Sequence, residues 1–357
     1  MDKWATKKIN KIRRSFLWAG EEEAHGGKCL VNWQQVTAPK QFGGLGIKDV
    51  TCFGRALRIR WLWHEWDEQA RPWLGTVIPC DSVDRSLFAS CTTVTAKNGA
   101  TASFWSSRWL QGEVPKEMAP AVFPLAWRKT ISVREALVDE RWMVGLQHIT
   151  TATQLEQFVL LWNRIQSVVL TEGREEIRWN LNNNGIYSAK SAYEPQFIAQ
   201  VPRPALAACW QLKVEHKVKF YMWLFVQNRN WTSDRLAARG WPHSSECCFC
   251  DQVMESAFHI LLQCTFAKEL WHLVSGEHPR LAVAALSTSS VSTWWKQSRA
   301  ATSKEIRVKE ACFAAYVAWH IWNERNMHTF QNRSLPPSGV LQLVRDDVAL
   351  LGEVFWK

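Results

Sequence analysis

The pattern of apolar and polar positions predicts a largely helical chain, because apolar residues recur every three or four positions in most segments. At the start of the chain, one apolar stripe consists of Ala5, Ile9, Ile12 and Phe16. Another face of the same segment carries Lys7, Lys11 and Arg14. This segment is therefore predicted to be a basic amphipathic helix, whose cations either face solvent or follow the phosphates of a nucleic acid.

Helical periodicity returns in several later segments. These are the stretch that begins near Phe53, residues 131–170, residues 210–239, residues 304–330 and residues 338–356. In the last of them the apolar stripe consists of Leu341, Val344, Val348, Leu351 and Phe355. Residues 276–303 are rich in Ser, Thr and Ala without a clear period, which predicts a loose connection.

Strand-like patterns are confined to the middle of the chain. Residues 88–94 and 102–110 flank an Asn-Gly pair and predict a β-hairpin. Residues 176–188 predict a second hairpin that turns at Asn182-Asn183-Asn184-Gly185. Ser188 is placed to cap a short helix after it.

A glycine-rich stretch follows the first helix, at Pro39-Lys-Gln-Phe-Gly-Gly-Leu-Gly-Ile47. No Gly-Lys-Ser/Thr follows it, and the third glycine of a dinucleotide-binding fingerprint is missing. The stretch is therefore predicted to be a structural turn with positive φ angles rather than a phosphate loop.

Together these patterns predict an α+β fold that is predominantly α-helical. We divide the chain into residues 1–75 (basic and helical), 76–200 (a mixed connector with β-hairpins), 201–275 (a small helical module) and 276–357 (C-terminal helices). Residues 200–204 contain two prolines and are predicted to be the linker before the third part.

Composition and charge narrow the range of functions. Hydrophobic residues make up 47% and charged residues 21% of the 357 positions, which is typical of folded proteins and argues against disorder, collagen or a coiled coil. The net charge is +10, and residues 1–60 contain 12 Lys and Arg against 5 Asp and Glu. This surplus favours polyanionic partners such as nucleic acid.

The ten cysteines and the apolar runs indicate a reducing compartment. Six cysteines are scattered singly. No signal peptide is recognisable, and the longest apolar run, Ala311 to Trp322, is too short to span a bilayer. We therefore expect an intracellular protein of the nucleus or cytoplasm, with reduced thiols and no membrane contact.

The remaining four cysteines lie close to a histidine in the pattern C-x2-C-x8-H-x4-C. The predicted ligands of one structural zinc ion are Cys247, Cys250, His259 and Cys264. Three thiolates and one imidazole close the tetrahedron, so no position stays open for a catalytic water. Cys248 is interpreted as a bystander and His243 as a reserve ligand. The alternative is a chance cluster of buried thiols.

Catalytic patterns are scarce in this sequence. The adjacent pair Asp346-Asp347 falls on the polar side of the last predicted helix, where a solvated face is expected. Glu175-Glu176 precedes a predicted strand and is interpreted as a surface charge pair. No G-x-S-x-G or H-E-x-x-H motif occurs. We therefore expect that this chain is not an enzyme.

Six collinear stretches resemble the C-terminal, post-palm region of plant LINE-type (non-LTR) retrotransposon reverse transcriptases. They are Ile12-Arg-Arg-Ser-Phe-Leu-Trp-Ala-Gly20, Trp33 with Pro39 to Ile47, Gly185 to Tyr193, Lys217 to Trp223 with Asn228 to Trp241, the Cys/His cluster with Ala267 to Trp271, and Trp319 to Asn326. Residues of about 187–272 resemble the reverse transcriptase zinc-binding domain of these transposable elements. The basic N-terminal part resembles a thumb.

The resemblance implies a binding role without nucleotidyl transfer, since the palm carboxylates of such polymerases are missing and the chain is expected to stop before a ribonuclease H domain. It implies RNA or DNA as the partner, together with other retroelement proteins. Candidate phosphate contacts are Lys213, Lys217, Lys219, Arg229, Arg235 and Arg239, with Lys7, Lys11 and Arg14 on the first helix. Trp223 and Trp231 either belong to the core or stack on bases.

A second hypothesis is a non-enzymatic retroelement remnant. In that case the structural zinc would fold a small domain that acts in protein interaction or has no activity. Trp and Lys/Arg side chains interleaved on one exposed face would favour nucleic-acid binding, whereas buried Trp with scattered cations would favour the remnant.

Overall fold

The computed structural model describes residues 3–22, 27–67, 76–301 and 303–355, with side chains up to residue 352. Its contacts divide the chain into two compact units. One unit is Val50–Ile198, and the other joins Asp2–Asp49 to Ala199–Lys357. The predicted boundary after residue 75 lies outside the described residues, and the division into four parts stays a prediction.

The described chain is mostly helical, which confirms the predicted fold class. The first elements are α1 (Lys3–Ala19), α2 (Trp33–Thr37), α3 (Val50–Asp67), α4 (Ser82–Cys91), β1 (Thr92–Thr95), α5 (Pro115–Met118), α6 (Val133–Leu137), α7 (Arg141–Val144), α8 (Ala152–Gln166), β2 (Glu176–Trp179) and α9 (Ala189–Tyr193). They are followed by α10 (Pro204–Gln211), α11 (His216–Val226), α12 (Ser233–Ala237), α13 (Thr265–Val274), α14 (Pro279–Ser287), α15 (Val291–Ser298), α16 (Lys304–Gln331) and α17 (Pro337–Phe355).

Neither predicted β-hairpin forms as such. Residues 88–91 belong to α4, whose start is fixed by a capping box between Asp81 and Asp84. β1 pairs instead with β2, antiparallel and in a register that sets Thr92 opposite Trp179. Burial of Trp179 against Phe88 (ring centroids 6.2 Å apart) outweighs the local turn preference of residues 97–99.

The polar turn of the second predicted hairpin does form. The amide of Gly185, whose φ is 72°, donates to the carbonyl of Asn182. The amide of Trp179 in turn donates to the carbonyl of Gly185 at 2.8 Å. Ser188 then caps α9, because its hydroxyl accepts from the amide of Ser191. Local turn and cap chemistry was therefore predicted correctly, and the strand partner was not.

Glu175 is buried rather than exposed, so its interpretation as half of a surface charge pair was wrong. Its carboxylate is 6% exposed and accepts from the amides of Thr101 and Ala102. Glu176 does lie at the surface, where it pairs with Lys97. One of two adjacent glutamates thus orders a distant loop, because alternate residues entering a strand point to opposite faces.

The second unit is built around α16. Residues 304–330 were predicted to be helical, and Phe313, Tyr316, Val317 and Ile321 of this helix are all buried. Tyr221 on α11 donates to the carbonyl of Ala318 at 2.9 Å. The stripe of α17 also packs into this core, with Leu341, Val344 and Leu351 buried and Val348 against it; the side chain of Phe355 lies outside the described residues.

Residues 276–303 are not a loose connection, as the sequence pattern had predicted, but contain α14 and α15. Pro279 occupies the first turn of α14, and the hydroxyl of Ser290 caps α15. Trp294 and Trp295 are fully buried in α15. The buried residues of α15 do follow helical spacing, but the helix has only eight residues, and so short a run is easily missed among Ser, Thr and Ala.

The apolar stripe of α1 stays at the surface. Ile12 is 38% and Phe16 is 71% exposed. The helix docks through its other side, where Trp18 stacks on Phe220 at 6.5 Å and Arg13 donates to the carbonyl of Lys48. Packing of Trp18 against Phe220 therefore decides which face of α1 is buried, although periodicity alone would predict burial of the apolar stripe.

The glycine-rich stretch is a structural turn, as predicted. Gly43 and Gly46 have φ angles of 85° and 82°. The carbonyl of Gly43 accepts from the indole of Trp223 at 2.8 Å and from the amide group of Gln35 at 2.7 Å. The turn therefore seats a fully buried tryptophan.

We expect Gly44→Ala to lower the stability of the second unit by about 2–4 kcal/mol. A Cβ atom at residue 44 would lie 1.9 Å from the carbonyl oxygen of Ala38, so backbone must move. The control is Gly54→Ala in α3, where the nearest atom to an added Cβ would be 3.7 Å away. This variant is expected to raise stability slightly, because alanine favours a helix over glycine. Thermal melts of both variants would measure this, and equal melting temperatures would contradict it.

Candidate metal centre

The structure brings four predicted ligand residues together. One potential ligand atom from each of Cys247, Cys250, His259 and Cys264 lies within 4.8 Å of all the others. The sulfurs of Cys247 and Cys264 are 4.0 Å apart, and the sulfur of Cys250 is 3.4 Å from Nε2 of His259. In a tetrahedral zinc site, neighbouring ligand atoms are about 3.5–3.8 Å apart. Within the described parts of the chain, this is the one such cluster.

A single π turn places the last two of these residues. His259–Gln263 form the turn, which is closed by a hydrogen bond from the amide of Cys264 to the carbonyl of His259. In an α-helix, residues five apart lie on different faces, whereas the i to i+5 bond of a π turn brings them into register. Cys264 itself is non-helical (φ −57°, ψ 142°) and lies immediately before α13.

The surroundings bury the cluster and leave Cys248 outside it. Cys247 and Cys264 are fully buried and His259 is 8% exposed. Hydrogen bonds from the thiols of Cys248 and Cys264 lower the pKa of Cys247 well below its ordinary value. The same contact raises the pKa of Cys248, whose thiol therefore acts as a donor. Thiolate is the form of cysteine that binds metals.

His243 does not approach the cluster. Its side chain is exposed, and Nδ1 lies 2.9 Å from the carbonyl of Trp241. The position of His243 therefore does not support its predicted role as a reserve ligand. The donor set consists of three cysteine sulfurs and one imidazole nitrogen. This set suits zinc in a closed, structural site.

A buried ion pair anchors the loop between the second and third ligand residues. Glu255 in this loop accepts two hydrogen bonds of 2.8 Å from the guanidinium of Arg325 on α16. Glu255 is 2% exposed and also accepts from the amide of Ser233 at the start of α12. The loop is thus tied to two other elements of the unit. Sequence patterns missed this pair, because the local pattern around Glu255 and Arg325 does not distinguish buried charges from exposed ones.

The predicted cations fall into separate groups. Arg229, Arg235 and Arg239 lie close enough to repel one another. Burial is the main reason that the pKa of Arg229 is lowered, and the positive charges of Arg235 and Arg239 lower it further. Arg239 lies over the ring of Trp231 at 4.6 Å. Arg14 on α1 borders the same cavity as Arg229 and Arg239, although more than 200 positions separate them along the chain.

The predicted lysines do not join that arginine group. Lys217 is exposed and lies 5.9 Å from the ring centre of Trp319. Burial, followed by the charge of Lys40, lowers the pKa of Lys219. Lys213 is exposed before α11, and Lys7 and Lys11 are exposed on α1. The cations therefore spread over several faces, with one compact arginine group.

The two tryptophans singled out in the sequence have different environments. Trp223 is completely buried and belongs to the core, so it is not available for stacking on a base. Trp231 is half-buried and stacks on Trp241 with ring centres 5.0 Å apart. One of the two candidates thus remains accessible.

Asp346 and Asp347 are both engaged by neighbours on or near their own helix. Asp347 lies 2.9 Å from Nε2 of His320 and is 30% exposed, so the expected fully solvated face was only partly correct. Asp346 accepts from Gln342, one turn earlier on α17. Nothing in this arrangement brings a third carboxylate to the pair among the described residues.

Comparison with known families gives a match for the residues around the cluster. Residues 187–271 match the family described as zinc-binding in reverse transcriptase. This chain is similar to the zinc-binding region of reverse transcriptases. The matched range agrees with the residues of about 187–272 expected from the sequence motifs and contains all four residues of the metal cluster. The predicted resemblance is confirmed.

A relative from Arabidopsis thaliana, named as a putative ribonuclease H protein, is 25% identical to this chain over 298 residues. The alignment covers 74% of this chain and 47% of the relative, so the chain spans about half the length of that relative. No solved structure matches the chain. Within the described residues, no helix is both long and apolar enough to cross a membrane.

Proposed function

We propose that this chain is a non-catalytic nucleic-acid-binding fragment of the reverse transcriptase type, folded around one structural zinc ion. Cys247, Cys250, His259 and Cys264 would hold the metal. A Cys3His set leaves no open coordination position, so the ion supplies folding energy rather than an activated water.

The proposal rests on positively charged side chains that have no acidic partner among the described residues. Lys217, Lys219, Arg229, Arg235 and Arg239 all lie within the range similar to reverse transcriptases, and none of them forms an ion pair with a described carboxylate. Some other arginines of the fold have acidic partners, as Arg58 has Asp84 and Arg325 has Glu255. Cations left without internal partners are available for phosphates.

The proposal excludes nucleotidyl transfer by this chain. Two-metal chemistry requires carboxylates that converge on a shared pair of ions. Asp347 instead contacts His320, and Asp346 contacts Gln342. The buried Glu175 and Glu255 are both occupied by amide or guanidinium donors. A binding role therefore accounts for the described charges without a catalytic step.

We expect the double variant Lys217→Glu/Lys219→Glu to weaken binding to single-stranded RNA or DNA by about 10–100-fold. Loss of two phosphate contacts should also lower the slope of log affinity against log salt by about 1.5–2. The measurement is fluorescence anisotropy with labelled oligonucleotides at several salt concentrations, using protein whose zinc content has been determined.

The matched control is Arg128→Glu/Lys129→Glu, which makes the same change in net charge at two exposed cations of the unit Val50–Ile198, outside the matched range. It should leave affinity within about twofold. Equal losses in both double variants would show that only net charge matters. A parent protein with one zinc and no binding would instead favour a folded remnant that acts in protein interaction.

A further inference from the structure

A cavity of about 430 Å³ collects arginines from distant parts of the second unit. Arg14 projects from α1, whereas Arg229 and Arg239 flank α12. The wall between them is formed by residues 29–33, at the start of α2. Among the described lining residues there is no Asp or Glu. Three guanidinium groups therefore share one cavity without a described acid to neutralise them.

The charges of Arg229 and Arg239 repel each other, and a bound anion would offset this repulsion. Arg229 is half-buried, and none of the three arginines forms an ion pair with a described residue. Like charges in a partly dehydrated site repel one another more strongly than in water. Two other arginines of the unit do have acidic partners, since Arg280 and Arg325 each have a glutamate at 2.8 Å. The cavity thus has the electrostatics of an anion site.

Aromatic rings and carbonyls hold the arginines in place and leave donors free. The guanidinium of Arg14 lies 5.8 Å from the ring centre of Trp33, and that of Arg239 lies 4.6 Å from Trp231. Arg239 uses Nε and Nη1 on the carbonyls of Gly27 and Arg235, which leaves Nη2 without a described acceptor. The indole N–H of Trp33, another lining residue, also lacks a partner. The free Nη2 of Arg239 can serve a bound anion, whereas the indole N–H of Trp33 is buried from solvent.

We propose that this arginine cavity binds a phosphate group of a single-stranded nucleic acid. Phosphate offers several acceptor oxygens that donors can reach from different sides, whereas a carboxylate offers two oxygens in one plane. Guanidinium forks are suited to such oxygens. The ligand is either an internal phosphodiester or a terminal 5′-phosphate. This inference rests on the proposed nucleic-acid function and specifies where on the protein a phosphate group of the nucleic acid binds.

The test compares Arg14→Gln with Arg13→Gln, its neighbour on the same helix. Arg13 also lies over Trp33, at 5.4 Å, but it donates to the carbonyl of Lys48 and does not line the cavity. Because Arg14 is exposed, its replacement should leave the fold intact. The probes are a ten-nucleotide oligonucleotide with a 5′-phosphate, the same oligonucleotide with a 5′-hydroxyl, and inorganic phosphate.

We expect Arg14→Gln to weaken oligonucleotide binding about 5–20-fold and to lower the salt slope by about 1, while Arg13→Gln stays within about twofold of the parent. A preference for the 5′-phosphate that disappears in Arg14→Gln would identify a terminal phosphate. Equal binding of both oligonucleotides would identify an internal phosphodiester. If the parent binds but the two variants behave alike, the cavity assignment is overturned and the proposed function stands.

A second measurement separates the two proposals. Inorganic phosphate, compared with chloride at equal ionic strength, should raise the melting temperature of the parent and of Arg13→Gln but not of Arg14→Gln. That result would support the cavity even if no oligonucleotide binds and the proposed function fails. No stabilisation of the parent would overturn the cavity assignment. Equal competition by polyglutamate would also overturn it, in favour of an acidic protein partner.

Discussion

Replacing Cys250 with serine is expected to remove the zinc ion and unfold the module around it. A serine hydroxyl is a poor substitute for a thiolate ligand, and zinc binding is coupled to folding in sites of this kind. We expect affinity for zinc to fall at least about 100-fold and the melting temperature of the second unit to fall by more than about 10 °C. Metal analysis after gel filtration and a thermal melt would measure both.

Cys248→Ser is the matched control for this prediction. Cys248 is adjacent in sequence to one member of the cluster but does not belong to it, and its thiol hydrogen-bonds to Cys247. Serine can also donate a hydrogen bond, so this variant should keep one zinc per chain. If Cys250→Ser held zinc as tightly as the parent, the proposed ligand set would be wrong.

Glu255→Gln is expected to destabilise the second unit by about 3–5 kcal/mol, because it leaves the charge of Arg325 buried without a counter-charge. Arg325 is 7% exposed in its side chain, so water cannot replace the lost carboxylate. The same change loosens the loop that connects Cys250 to His259, so zinc release in denaturant should begin at a lower concentration. Urea unfolding followed by tryptophan fluorescence, with a zinc indicator present, would record both effects.

Glu277→Gln provides the comparison. Glu277 pairs with Arg345 at the surface, and both side chains are more than 40% exposed. Exposed pairs contribute less than about 1 kcal/mol, so this variant should unfold close to the parent. Similar losses in the two variants would contradict the idea that burial makes the Glu255–Arg325 pair important.

Most long helices followed from local sequence pattern. The stripe of residues 341, 344, 348 and 351 was recognisable because one face of α17 meets the core and the other meets solvent. In α15 the buried residues Val291, Trp294, Trp295 and Ser298 follow the same spacing, but the helix has only eight residues and one buried position is a serine. Periodicity therefore identifies long helices readily and is easily missed in a helix of about two turns.

The strand pairing shows a different limit. An Asn-Gly pair predicted a local hairpin, but β1 found its partner more than 80 positions later, in β2. Short-range turn chemistry competes with burial of a large side chain, here Trp179. The turn at residues 182–185 and the cap at Ser188 were predictable because both depend only on neighbouring residues.

The sequence by itself determined the features that depend on short spacing. Cysteine and histidine side chains have few roles at C-x2-C-x8-H-x4-C spacing, so the candidate zinc cluster was recognisable before its geometry was known. The turn at Gly43 to Gly46 was also recognisable, because few residues other than glycine adopt its positive φ angles.

Tertiary structure alone decided how distant charges meet. It buried Glu255 against Arg325 and Glu175 against two amides, and it brought Arg14 to Arg229 and Arg239. Local periodicity carries no information on such contacts, because a charged residue has the same pattern whether it faces solvent, a buried partner or a shared cavity. The packing of each unit determines which of these environments each charge has.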